Sequence, residues 1–181
     1  MLPDAARDQV TLFSREILPV ILAQYRLNPK GIHGVAHWGR VLENGRRLAA
    51  ATGADLAVIE MFAIFHDACR WRDGRDPDHG PRSARLAERL GMQTGLNDSQ
   101  ISELVRACEC HTIGPGPDAS GTVLTCLDAD RLDIPRVGIP IKPDMLFSAA
   151  AREPGTLAWA ADRAERLSIP LLCREEWGWP Q

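Results

Sequence analysis

Apolar residues recur at intervals of three and four along nearly the whole chain, and strict apolar/polar alternation is scarce, so the pattern predicts helices and no sheet. An all-α, single-domain bundle of six to eight helices is expected. The first helix is predicted over about Asp4 to Tyr25, stopping before the turn signal Asn28-Pro29-Lys30-Gly31. The second runs from about His33 to Ala51, with Gly53 at the left-handed position that closes helices. A third, from about Leu56 to Trp71, carries Ile59, Met61, Phe62, Ile64 and Phe65 almost all round, and such a helix belongs in the centre of a fold. Asp73-Gly74-Arg75-Asp76-Pro77 breaks it, and a fourth helix follows to about Leu90. Asn97 with Gln100 has the form of a capping box that opens a fifth, closing near His111. Gly114-Pro115-Gly116-Pro117 must be a loop, and Gly121 to Leu132 reads as a sixth helix. The stretch from Ile134 to Pro143 holds three prolines and is expected to be irregular. A weaker helical tail, about Asp144 to Leu167, stops before Pro170, and Trp177-Gly178-Trp179 is either a packing arm or a loose end.

Composition narrows the class. The 181 residues, 45% hydrophobic, suffice for one core and are short for two, and no repeat or long linker divides them; one domain over 1–181 is expected, with a helical extension from about 144. A net charge of −3 offers no basic excess for a phosphate backbone, which disfavours a nucleic-acid partner but leaves room for a small anion held by local arginines. No apolar run approaches the roughly 20 residues that span a bilayer. The first residues, interrupted by Asp4, Arg7 and Asp8, lack a signal-peptide core, so no membrane partner and a cytoplasmic location are expected. The five cysteines form no Cys-x-x-Cys pair and are odd in number, which suits reduced, buried thiols.

The chemistry lies elsewhere. All five histidines fall between positions 33 and 111, and clustering of that kind points to a metal. His66-Asp67 sits in the most apolar stretch, where a carboxylate is costly to bury without a compensating charge. Neighbours on a helix diverge by about 100°, so both side chains can still reach one ion between them; a helix cap or a buried ion pair to Arg70 or Arg72 would account for the dipeptide equally well. His33 and His37 stand at i and i+4 on one helix face, and Asp128, Asp130 and Asp133 supply carboxylates within an apolar helix.

In that order and spacing, His33-Gly-Val-Ala-His37-Trp-Gly-Arg40-Val41, Phe65-His66-Asp67 and Asp128-Ala-Asp130-Arg-Leu-Asp133 resemble the HD superfamily of metal-dependent phosphohydrolases, over about Ile32 to Gly138. The resemblance implies an all-α core in which His37, His66, Asp67 and Asp130 hold a metal, with Asp128 the alternative to Asp130. His79 and His111 look like the extra ligands of the family's two-metal branch, in which Asp67 bridges two ions and a shared hydroxide attacks phosphorus. Otherwise His79 is a residue near a helix start and His111 a polar helix end.

Imidazole and carboxylate ligation together suit Mn, Fe, Co, Ni or Zn better than calcium. Arg70, three residues after Asp67, is the leading candidate to hold the phosphoryl oxygens, ahead of Arg40, Arg82, Arg131 and Lys142. His33 either donates a proton to the leaving oxygen, contacts the phosphate, or caps its helix. The resulting expectation is hydrolysis of a phosphoester or phosphoanhydride bond of a small phosphorylated substrate, foremost a nucleotide. A non-catalytic metal- or nucleotide-binding regulator is the alternative, and a helical interaction module with a structural metal is a third. The chain has no Gly-Tyr-Pro motif after a His-Asp pair, and Arg70 stands where that branch has lysine, which argues against cyclic dinucleotide cleavage. It also lacks the large insertions of the deoxynucleotide triphosphohydrolases, leaving nucleoside monophosphates, triphosphates and dinucleotides open.

Overall fold

A computed structural model of the chain describes residues 4–179, with side chains from Phe13 onward. Nine α-helices and no strand are found among them: α1 (Asp4–Gln24), α2 (Val35–Thr52), α3 (Leu56–Phe65), α4 (His79–Leu90), α5 (Asp98–Ile113), α6 (Gly121–Arg131), α7 (Ala149–Arg152), α8 (Pro154–Glu165) and α9 (Leu171–Glu175). None is long and apolar enough to cross a membrane.

The most apolar segment does lie in the centre. Every residue of α3 from Val58 to Phe65 is buried, and α1, α2, α4, α5 and α6 pack around it. Local chemistry sets the helix starts: Asp55 accepts hydrogen bonds from the Ala57 and Val58 amides at the head of α3. Asn97 and Gln100 form the predicted capping box of α5, and Ser120 accepts from Val123 N at the start of α6. The Gln100 amide also donates to Asp55 Oδ2 at 2.8 Å, tying the start of α5 to that of α3. Gly53 closes α2 at φ 70°.

Three expectations are corrected. The third helix ends at Phe65 and not near Trp71, because beyond it the chain tightens: the Ala68 amide bonds to Phe65 O and the Arg70 amide to Asp67 O, three residues back. Apolar periodicity continues through Ala68 and Cys69 and conceals that change. The second helix starts at Val35, leaving His33 in the preceding turn, where Val35 N reaches Pro29 O at 2.9 Å. The approach is so close that a β-carbon on Gly34 would lie 2.0 Å from that oxygen. The tail is three short helices, α7 to α9, broken by Pro154 and by the turn at Leu167, which has φ 51°. The irregular stretch contains a 3-10 turn, Ile134–Val137.

The C-terminal segment is a packing arm. Trp177 is buried and donates from Nε1 to Ser14 Oγ at 3.1 Å, and Arg46 joins Glu176 to the buried Glu60. All five cysteines are free thiols, four of them buried and Cys69 half-buried.

Candidate metal centre

Five elements end at one place. His37 comes from the first turn of α2, His66 and Asp67 from the turn after α3, His79 from the first residue of α4, His111 from the last turn of α5, and Asp130 from the end of α6. Close packing of α4 on α5 brings His79 to His111: a β-carbon on Gly80 would meet Thr112 Oγ1 at 2.6 Å and Cys108 O at 2.9 Å.

The hydrogen bonds decide what the imidazoles present. His37 Nδ1 lies 2.7 Å from Asp133 Oδ2, His66 Nδ1 lies 3.1 Å from both Phe62 O and Ala63 O, His79 Nδ1 lies 2.5 Å from Asp76 O, and His111 Nδ1 lies 2.6 Å from Cys108 O. Each Nδ1 faces an acceptor and so carries the ring proton, which leaves a lone pair on every Nε2. Those lone pairs converge. His37 Nε2 is 3.0 Å from His66 Nε2, and His79 Nε2 is 2.8 Å from His111 Nε2.

Carboxylates lie among them. Asp67 Oδ2 is 3.5 Å from His37 Nε2 and 3.8 Å from His66 Nε2, while its Oδ1 is 3.0 Å from His79 Nε2 and 3.8 Å from His111 Nε2. Asp130 Oδ1 is 3.5 Å from His37 Nε2 and 3.7 Å from His66 Nε2. Lone pairs and anionic oxygens at these separations repel in the absence of a cation, and nitrogen and oxygen donors oriented by outer hydrogen bonds are the usual surroundings of a transition metal. Two groups, His37/His66/Asp130 and Asp67/His79/His111, each keep their ligand atoms within 4.8 Å of one another, as does a third, His33/His37/Asp67. These residues can therefore hold a metal.

Charge states fit that reading. Burial pushes the His66 imidazole down to about 3, keeping it neutral. Burial alone would raise the Asp67 and Asp130 carboxyls. Around Asp67 the surrounding imidazoles, His66 foremost with His111, His33 and His37, outweigh it and hold the group well below the usual range. For Asp130 the facing His66 and His37 bring it to about 2.

Asp128 is turned away. It is buried, and its oxygens accept from Phe147 N, Ser148 N and Ser148 Oγ at 2.7 to 2.8 Å, holding the turn before α7. Sequence reasoning counted Asp133 among the carboxylates of its segment without singling it out; it is buried and accepts from His37 on one side and from Arg40 Nε and Nη2, at 2.6 and 3.0 Å, on the other. Asp133 and Arg40 are 93 positions apart, so no local pattern announces the pair.

Of the cations considered, Arg70 reaches the cluster, with Nη1 3.3 Å from Asp67 Oδ1 and 3.0 Å from His79 Nε2. The others do not: Arg40 is committed to Asp133 and Ser168 O, Arg82 to Asp76 and Cys69 O, and Arg131 to Met145 O, while Lys142 is exposed elsewhere. His33 does not cap a helix by its side chain. Its Nδ1 lies 2.9 Å from Asp67 Oδ2 and 3.2 Å from Arg136 Nη2, its Nε2 lies 3.1 Å from Asp73 O, and Tyr25 Oη fixes its carbonyl at 2.8 Å.

A cavity of about 420 Å³ opens onto the cluster, walled by Asp67, Arg70, Arg75, Asp76, Pro77, His79, His111, Thr112, Asp130 and Arg136. Neither Arg75 nor Arg136 stood out in the sequence, because both lie in segments expected to be irregular.

No protein-family model and no curated protein matches the chain. Among solved structures, a predicted HD superfamily hydrolase from an uncultured Thermotogales bacterium is similar, with a TM-score of 0.62 and 26% identity over 84% of this chain and 89% of that one. The resemblance to the HD superfamily thus holds in three dimensions as well as in the order of the motifs, and at the level of that family it supports a hydrolase.

Proposed function

We propose that the chain is a metal-dependent phosphohydrolase acting on a small phosphorylated substrate, a nucleotide foremost. The observation that carries the reading is the convergence of four Nε2 lone pairs with the oxygens of Asp67 and Asp130, beside an open cavity that Asp67, Asp130, His79 and His111 line. His37, His66, Asp67 and Asp130 would hold one ion, and Asp67, His79 and His111 a second; the donor set suits Mn, Fe, Co, Ni or Zn. A bound divalent ion lowers the pKa of water from about 15.7 towards about 7 and polarises a phosphoryl oxygen.

The chain supplies the rest. Asp133 keeps the His37 proton on Nδ1, so that Nε2 stays a donor of electrons. Arg70, held by Gly74 O and Asp67 Oδ1, offers a guanidinium to the phosphoryl oxygens. His33, with Nδ1 beside Asp67, is the candidate proton donor to the leaving oxygen. A screen of phosphorylated metabolites with each of the five metals, run beside elemental analysis, tests the reading. The expected result is metal in the purified protein and phosphate release that disappears in Asp67→Ala. A chain that binds no metal, or a variant that keeps full turnover, overturns it.

A further inference from the structure

The wall of the cavity bears on what kind of substrate it selects, and this rests on the reading of the site as a metal-dependent phosphohydrolase. Three guanidinium groups face the cavity, those of Arg70, Arg75 and Arg136. Two are fixed in advance. Arg70 donates to Gly74 O at 3.0 Å and Arg72 O at 3.4 Å. Arg136, on the Ile134–Val137 turn, donates to Ile32 O at 2.9 Å and Asp133 O at 3.1 Å, with Nη2 3.2 Å from His33 Nδ1. They stand against opposite oxygens of Asp67: Arg70 contacts Oδ1, and Arg136 contacts His33, whose ring meets Oδ2.

Arg75 differs from both. It is exposed and makes no hydrogen bond or ion pair among the described residues. The loop that carries it is nonetheless shaped, because Asp76 accepts from Trp71 N at 2.8 Å and from Arg82 Nη2 at 2.6 Å. A partnerless guanidinium on a latched loop at the mouth of a cavity has an anion as its natural complement.

Charge and lining agree. The wall carries three arginines and three carboxylates, but Asp76 is already paired with Arg82 at 2.6 Å, so once two divalent ions are bound a single phosphate dianion leaves the cavity positive. The wall meanwhile offers one apolar side chain, Pro77, and no Phe, Tyr or Trp ring, so it presents no apolar slot for a nucleobase.

We infer that the site selects substrates by their anionic groups and is indifferent to the base: Arg70 and Arg136 grip the phosphoryl group beside the metals, and Arg75 reads a second anionic group next to it. Nucleotides are then ranked by phosphate number, and phosphorylated compounds without a base but with a second anionic group are accepted.

Calorimetric titration of the manganese-loaded protein, with free Mn²⁺ kept in excess over the probe, tests this with inorganic phosphate and methylenediphosphonate. The diphosphonate should bind at least tenfold more tightly than phosphate. Arg75→Ala, which removes an exposed and unpartnered side chain, should cut that ratio about tenfold while phosphate affinity and manganese content stay within twofold. Arg136→Gln should weaken both probes together. Equal binding of the two probes by the wild-type protein, or an unchanged ratio in Arg75→Ala with metal in place, overturns the second-anion reading and leaves the metal centre standing. A wild-type chain that takes up no manganese overturns the metal centre, and the clamp with it.

Discussion

The two halves of the proposed metal centre share Asp67 but meet their charge in different ways. The side chains of His37 and His66 are fully buried, and His37 is backed by the Asp133–Arg40 pair. Among the described residues, no lysine or arginine touches their facing Nε2 atoms. His79 and His111, by contrast, line the open cavity, and Arg70 Nη1 already lies between His79 Nε2 and Asp67 Oδ1. Burial with rigid backing leaves the inner half dependent on an external cation, whereas the outer half has a guanidinium at hand. The inner half is therefore expected to take its ion first and hold it longer, with the outer ion competing against Arg70.

The hardest test of that contrast is Asp67→Ala, which removes the oxygens common to both halves. Metal content and hydrolysis should fall to background in elemental analysis and turnover assays, while the helical fold largely survives, since α3 is kept in place by its apolar surface. A variant that retained one ion would show that the halves do not depend on Asp67.

Next come the histidines. His37→Ala should empty the inner half, whereas His79→Ala or His111→Ala should lower bound metal from about two ions to about one with a steep loss of activity. Elemental analysis separates the cases, and unchanged metal in both outer variants would leave a mononuclear centre.

A smaller effect is expected behind the ligands. Asp133→Asn should weaken metal binding by about 10- to 100-fold, because the His37 ring loses the acceptor that fixes its tautomer. Asp128→Asn should leave metal affinity alone and cost about 1 to 3 kcal/mol of stability, because it disturbs the acceptors of the Phe147 and Ser148 amides. The opposite ranking in metal titrations would move the outer support to Asp128.

The mildest prediction concerns pH. Burial holds His66 at about 3 against an ordinary 6.5, so between those values the unfolded chain binds a proton that the folded chain refuses. Metal-free protein should lose a few kcal/mol of stability as pH falls through that window, and Asp67 and Asp130, held below the usual carboxylate range, act in the same direction at the acid end. Denaturant titrations from pH 7 to pH 4 on chelated protein measure it; a flat profile would mean that the His66 proton is not excluded.

Legibility followed the range of the interactions. The capping box at Asn97 and Gln100, the close of α2 at Gly53 and the span of α6 depend on neighbours within a few positions, and all could be read from the sequence. The order of His37, His66-Asp67 and Asp130 was legible too, and the structure brings those residues together with His79 and His111. What escaped depends on distant partners. Asp133 gains its place from Arg40, Asp128 from residues 147 and 148, and Arg136 from Ile32, none of which any periodicity encodes. The early end of α3 escaped for another reason, since a change from four-residue to three-residue hydrogen bonding leaves the apolar pattern intact.

Arg40 has one further consequence. Its Nη1 donates at 2.8 Å to the carbonyl of Ser168, in the turn where Leu167 takes a positive φ and stands 49% exposed with Ile169 at 51%. The same guanidinium grips Asp133, and Asp133 grips His37. The link from tail to centre is thus continuous: a surface bend, a buried fork, a carboxylate, an imidazole. The C-terminal helices act as a brace on the inner half, so a protease cut at the exposed Leu167–Ile169 bend should speed metal release from a site it never touches.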